Sequence, residues 1–182
     1  VDELALARAL AGGDEAAFHA FVDREAGRVF RICYRILGQV DDAKDAAQEA
    51  FVLAYRALPT YRGEGSPGAW IARIATRACW RRAAGTARRL SVTTPLDEEL
   101  VDTLVDTADP MGELIAAEER HAVRRAVASL PEPYREVVVL RFFGDLPLAD
   151  IAAATGRPEP TIKTQLRRGL ERLRGAMRED TA

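Results

Sequence analysis

Leu148-Ala149-Asp150-Ile151-Ala152-Ala153-Ala154-Thr155-Gly156-Arg157-Pro158-Glu159-Pro160-Thr161-Ile162-Lys163-Thr164-Gln165-Leu166 decides the fold of this chain. Its spacing predicts two helices separated by Thr155-Gly156-Arg157. Two helices that cross steeply nearly touch, and Ala152 supplies the small side chain that contact requires. Gly156 follows four positions later and tolerates the positive φ of a tight turn. Ile162 and Leu166 stand one turn apart and bury one face of the second helix. Pro158 suits that helix's first turn, where a missing N–H costs nothing. The opposite face carries Lys163, Thr164, Arg167 and Arg168, with Arg172 and Arg174 beyond. A helix of this kind fits the major groove, where Arg and Lys neutralise phosphates and read guanine edges. The spacing alone describes only a helical hairpin with a solvated basic face. Combined with the basic block, it points to DNA.

Upstream, helical periodicity continues. Phe18, Phe21, Val22, Val29, Ile32, Cys33, Ile36 and Leu37 recur at helical spacing over residues 15–37, with Asp14 as the expected start cap and Gly38 as the end. A second helix over 42–58, capped by Asp41, aligns Ala46, Ala47, Ala50, Phe51, Ala54 and Leu58 before Pro59 stops it. Residues 60–68 are rich in breakers and read as a loop. A third helix over 68–84 carries Trp70, Ile71, Ile74 and Ala78. Residues 86–112 lose the period and read as a linker, with Pro95, Pro110 and Gly112 as breakers. Helices then resume over 113–129 and 133–143, the latter ended by Gly144. The chain is therefore expected to be all-α. Two small helical domains, 10–85 and 113–178, are joined by a flexible acidic linker, 86–112.

The net charge of −2 seems to argue against a nucleic acid. Its distribution argues the reverse. Residues 62–89 sum to +6, residues 97–119 to −9 and residues 155–178 to +5, so two basic blocks flank an acidic one and the total hides them.

At this point a family resemblance becomes specific. Ser129-Leu130-Pro131-Glu132-Pro133-Tyr134-Arg135-Glu136-Val137-Val138-Val139-Leu140-Arg141, followed by the helix-turn-helix, resembles the fourth region of bacterial RNA polymerase sigma factors. Asp41-Asp42-Ala43-Lys44-Asp45-Ala46-Ala47-Gln48-Glu49-Ala50-Phe51 resembles their second region. Tyr61-Arg62-Gly63-Glu64 and Ala69-Trp70-Ile71-Ala72-Arg73-Ile74-Ala75 resemble its melting and minus-10 parts. Two regions, a short linker and no third domain match the extracytoplasmic-function (ECF) class.

The resemblance implies roles. Asp45, Gln48 and Glu49 would meet the β′ clamp of core polymerase, and the second domain the β flap. Tyr61 would stack on a flipped base, worth ~1–3 kcal/mol. Arg62, Arg73, Arg77 and Arg81 would hold the minus-10 region, with Arg82 beside them on the promoter backbone. Lys163, Thr164, Arg167, Arg168 and Arg157 would read the minus-35 element. It also implies an anti-sigma partner and a cytoplasmic location. Arg77 stands where the family often has Asn, Pro67 where an aromatic is usual, and Pro160 where glycine is common.

Other signals carry less. Gly63-Glu64-Gly65-Ser66-Pro67-Gly68 matches a dinucleotide fingerprint in letters, but it lacks the preceding strand and the acid about 20 residues on. Cys33 and Cys79 lie on apolar faces and read as core. His19 and His121 are far apart in sequence, with no metal-ligand cluster around them. No nucleophile and base stand together, so neither catalytic residues nor a cofactor are expected. No apolar run is long enough for a membrane span, and no signal peptide is seen. Apart from the resemblance, an operator-binding regulator acting without polymerase, or an adaptor with basic helices, would also fit these features.

Overall fold

The computed structural model describes residues 3–63, 65–87 and 110–179. Among them eight α-helices form and no strand does: α1 (Glu3–Ala11), α2 (Glu15–Leu37), α3 (Val40–Ala57), α4 (Pro67–Ala87), α5 (Pro110–Ser129), α6 (Tyr134–Phe142), α7 (Leu148–Thr155) and α8 (Glu159–Glu179). A single 3₁₀ turn, Leu58–Thr60, follows α3. The fold is all-α with two helical units, as expected. Most of the expected linker, and Glu64 of the loop, fall outside the described residues.

Helices α2, α3 and α4 form the first unit. Asp14 caps α2 by accepting from the Ala17 N–H at 3.0 Å, and Gly38 ends it at φ 77°. A left-handed residue there satisfies the last carbonyls without a Cβ penalty. The inward face of α3 is nearly all alanine: Ala43, Ala46, Ala47, Ala50 and Ala54 are buried. Such small side chains let α2 and α4 approach closely. Phe21 fills the centre, with ring centroids 6.4 Å from Phe51 and 6.3 Å from Trp70. Helix α1 adds Leu6, Ala7 and Leu10 to this core.

In the second unit, Val137, Val138, Val139 and Leu140 of α6 pack with Val127, Leu130, Leu146, Ile151 and Ile162. Helix α8 crosses α6 at Gly169, where an added Cβ would lie 2.9 Å from Val138 Cγ2. That crossing was not legible in the sequence; Ala152 was the expected close approach. Gly156 does end α7, at φ 67°.

Four local expectations are corrected. Asp41 lies inside the first turn of α3, which starts at Val40 with Gln39 as its uncapped N-cap. An acid one residue into a helix favours the macrodipole as well as a cap would, and composition cannot separate the two. Pro110 and Gly112 do not break α5; the helix starts at Pro110, the first-turn position proline tolerates. The residue closing α6 is Phe143, not Gly144. Pro158 precedes α8, its carbonyl accepting from the Thr161 and Ile162 N–H groups, so Pro160 occupies the first turn instead.

The two units share one continuous buried cluster. Arg35 of α2 donates from Nη1 to the carbonyls of Phe142 (3.2 Å) and Phe143 (3.3 Å). The guanidinium of Arg135 stands 4.4 Å above the Trp80 ring. Trp80 is thus part of the contact between units.

Candidate nucleic-acid interface

Helix α8 has one buried and one wet face. Ile162 is fully buried, Leu166 and Leu173 are half-buried against the core, and Lys163, Thr164, Arg167 and Arg168 are exposed. Among the described residues two of these pair along their own helix: Lys163 with Glu159 at 2.9 Å and Arg167 with Glu171 at 2.7 Å. Exposed i,i+4 pairs of this sort are worth about 0.3–0.5 kcal/mol and yield easily to a phosphate. The Thr164 hydroxyl donates to the Pro160 carbonyl at 3.0 Å. Arg157 lies apart from this group. It bonds to the Glu136 carboxylate and to Gln165 Oε1 at 2.8 Å, half-buried at the junction of the two units.

The arginines of α4 are held differently. Arg73 donates from Nε to Glu136 Oε1 at 3.1 Å and from Nη1 to the Ala154 carbonyl at 2.8 Å. Arg77 reaches the same Glu136 oxygen at 3.5 Å. Arg81 faces Glu49 at 3.6 Å, and Arg82 bridges Asp42 (3.0 Å) and Asp45 (2.8 Å). The acids expected to meet polymerase and the arginines expected along DNA therefore touch each other across α3 and α4. Gln48 is exposed on the same α3 face as Asp45 and Glu49.

Tyr61 is only 8 % exposed. Its ring packs tilted against Trp70, with centroids 4.5 Å apart, and its hydroxyl has no hydrogen-bond partner among the described residues. Burial pushes the phenol's pKa up, and the nearby Glu3 carboxylate adds to that. Arg62, next in sequence, is exposed.

Two features escaped sequence reasoning. Glu136 is 8 % exposed and gathers Arg73, Arg77 and Arg157. Its signal was a lone acid heading the apolar run Val137–Leu140. Val52 and Tyr55 are half-exposed apolar residues that continue the α3 face one and two turns past Gln48. The signal there was their spacing from Gln48, on the side away from the alanines.

Among the described residues no group of His, Cys, Asp and Glu could hold a metal ion, and no helix is long and apolar enough to cross a membrane.

Comparison with known proteins agrees in sequence and in fold. Residues 21–89 match the family described as Sigma-70 region 2, and residues 120–173 match Sigma-70, region 4. The ECF RNA polymerase sigma factor SigW of Bacillus subtilis (strain 168) is 31% identical, over 92% of each chain. The RNA polymerase sigma-H factor of Pseudomonas aeruginosa is 30% identical, over 91% of this chain and 88% of that one. The ECF RNA polymerase sigma-E factor of Escherichia coli (strain K12) is 30% identical, over 88% and 86%. The solved CnrH, in complex with the cytosolic domain of CnrY, superposes with a TM-score of 0.63 at 20% identity over 99% of both chains, a likeness of fold. The chain belongs to the ECF RNA polymerase sigma factors, DNA-binding subunits that join core polymerase and direct promoter-specific transcription initiation.

Proposed function

We propose how this sigma factor divides its work among three helices. Lys163, Thr164, Arg167 and Arg168 of α8 read the minus-35 element, and Arg157 joins them once it leaves Glu136. The orientation of α8 carries this reading: Ile162 is fully buried while those four side chains face solvent. Each good base contact in the major groove is worth about 1–3 kcal/mol of discrimination.

Tyr61, Arg62, Arg73, Arg77 and Arg81 hold and melt the minus-10 element. Tyr61 supplies an aromatic platform for an unpaired base, and the arginines supply the charge that follows the backbone. Asp45, Gln48 and Glu49 dock on the β′ clamp, with Val52 and Tyr55 adding apolar contact on the same face. The second unit meets the β flap. Residues 10–85 and 113–178 are the working domains and the acidic 86–112 their link, with α1 packed onto the first. The work is done in the cytoplasm, where core polymerase and promoter DNA meet, and without covalent chemistry by this chain.

An anti-sigma protein is the expected regulator. CnrH, of the same fold, was solved with the cytosolic domain of a second protein, CnrY. Here the same surfaces that meet polymerase and DNA would be covered.

Reconstitution tests the reading directly. Purified chain with core polymerase gives runoff transcripts from discrete start sites on genomic DNA, and core alone does not. Failure to bind core even at low salt would sink it.

A further inference from the structure

We infer that the cleft around Glu136 is a binding site for a dianionic phosphate, free or carried as a monoester on a small metabolite. The site goes beyond the promoter reading above and does not depend on it, because binding is read on the free chain.

The cleft measures about 440 Å³, within the range of small-molecule pockets, and residues of α4, α6, α7 and α8 line it. Its charge is out of balance. Arg73, Arg77 and Arg157 share the single carboxylate of Glu136. The other acid of the wall, Glu132, is matched by Arg135 at 3.0 Å. Three guanidinium groups against one carboxylate leave a surplus of two positive charges. In a protein cleft these repel one another more strongly than they would in water. A dianion cancels the surplus, whereas a monoanion cancels half of it.

The donors suit the same ligand. A guanidinium carries five N–H groups in a planar fork that matches phosphate oxygens. Contacts within the cleft engage two on Arg73, two on Arg157 and one on Arg77, which leaves further donors on each. Gln165 spends its Oε1 on Arg157, so its amide N–H groups add to the set. The hydroxyls of Thr76 and Thr155 donate to carbonyls of their own helices, at 2.8 and 2.6 Å, and stand outside it. No aromatic ring lines the cleft to hold a base. Recognition therefore falls on the phosphate group and not on what carries it. The DNA backbone is a poor match: each of its phosphates is a diester with one charge, and a duplex displays them on a convex rod, while this site is recessed.

Isothermal titration of the full chain at fixed ionic strength tests the site with three probes: inorganic phosphate, the monoester glycerol phosphate and the diester dimethyl phosphate. Saturable one-to-one binding is expected for a dianion, and binding weaker by about tenfold or more for the monoanionic diester. If both dianions bind, the site accepts a phosphorylated metabolite; if inorganic phosphate alone binds, the occupant is the free ion. Gln165→Glu keeps the side chain's size and an acceptor for Arg157 while adding a negative charge, and should weaken binding by about tenfold or more. Arg77→Gln should weaken it as well, and being at an exposed position it covers a Gln165→Glu chain that folds poorly. Arg56→Gln removes an exposed cation of α3 outside the cleft and should change nothing. No saturable binding by the wild type, a diester bound as tightly as the dianions, or unchanged binding in both cleft variants each overturns the site. So does an equal loss in Arg56→Gln, which would mean diffuse attraction. Failure of the runoff assay would instead overturn the proposed function and leave phosphate binding as measured.

Discussion

The two arginine-bearing helices, α4 and α8, look alike in sequence but take their partner acids from different places. On α8, Lys163 and Arg167 pair with acids of their own helix and stay in water. On α4, Arg73 and Arg77 are held by an acid from the other unit, and Arg81 and Arg82 by acids of α3. A basic stripe read from spacing says which side chains are cationic. It does not say whether their charge is available. Availability depends on what else folds against the stripe, and here Glu136 makes the difference. The contrast rests on Arg73 and Arg82, which are largely covered, whereas Arg77 and Arg81 stay as exposed as Lys163 and Arg167.

Removing the ring proposed to serve the minus-10 element should have the largest effect. Tyr61→Ala deletes an aromatic packed on Trp70 at 4.5 Å, and comparable buried aromatic deletions cost about 3–5 kcal/mol. If Tyr61 has the role proposed for it, the same change in the holoenzyme removes a stacking platform worth ~1–3 kcal/mol. Both a lower denaturation midpoint and weaker permanganate reactivity of unpaired promoter thymines are expected. Tyr61→Phe separates the two, because it keeps the ring and removes a buried hydroxyl that has no partner among the described residues. It should leave melting intact and hold or raise the denaturation midpoint; a marked drop in stability would mean the hydroxyl is bonded after all.

Next come the exposed cations of α8, proposed to read the minus-35 element. Lys163→Ala with Arg167→Ala removes two exposed side chains, so stability should stay within about 0.5 kcal/mol of wild type. Promoter affinity of the holoenzyme should fall by tenfold or more, at about 1–3 kcal/mol per lost base contact. Energy transfer between dyes on Ala20→Cys and Gly175→Cys, both exposed and one on each unit, should not move, since neither residue touches the first unit. A double variant that parted the units would erase the contrast between the helices.

Local chemistry explains why some of this was legible. Asp14, Gly38 and Gly156 act through their own backbone neighbourhood, so their residue types announced the ends of α2 and α7. The alternation around Phe21, Ile32 and Ile71 encoded the first core for the same reason: helical period and burial are one fact seen twice. Gly169 was illegible because a glycine within a helical run looks like a defect until α6 is laid across it at Val138. Glu136 was illegible because its partners lie sixty-three residues upstream in Arg73 and twenty-one downstream in Arg157. Long-range charge pairing leaves no periodic trace. The proposed roles of Tyr61 and Arg73 came through resemblance, which carries residues across but not the state in which the chain keeps them.

The buried cysteines offer a finer measurement. Cys33 and Cys79 are both fully buried in the first unit. Hydrogen bonding to Cys33 pushes the Cys79 thiol well above its ordinary pKa, and burial adds to the shift. Thiol reagents attack the thiolate, so both should stay unmodified until the unit itself unfolds. They should stay equally protected in Glu136→Gln, which removes the ion pairs to Arg73 and Arg77 and leaves the first core untouched. Rapid labelling of that variant would show that the second unit props the first one up instead of merely covering it.

The smallest expected effect lies at the edge of the contact between units, at Asp150 of α7. Burial raises its pKa, the Glu3 carboxylate raises it further, and Arg28 opposes both. Glu3 and Arg28 belong to the first unit, so these influences act only while the units touch. The packed units therefore bind the Asp150 proton more tightly than separated units do. Its contribution to their packing is complete below the ordinary aspartate range, near pH 4, and is lost as pH rises through the raised value. Energy transfer between the dyes should accordingly ease downward as pH climbs from the acidic side towards neutrality. Asp150→Asn should remove that part of the slope and leave the units slightly more tightly packed at neutral pH. A slope that survives in Asp150→Asn would have to come from another group, with Glu3 the next to replace.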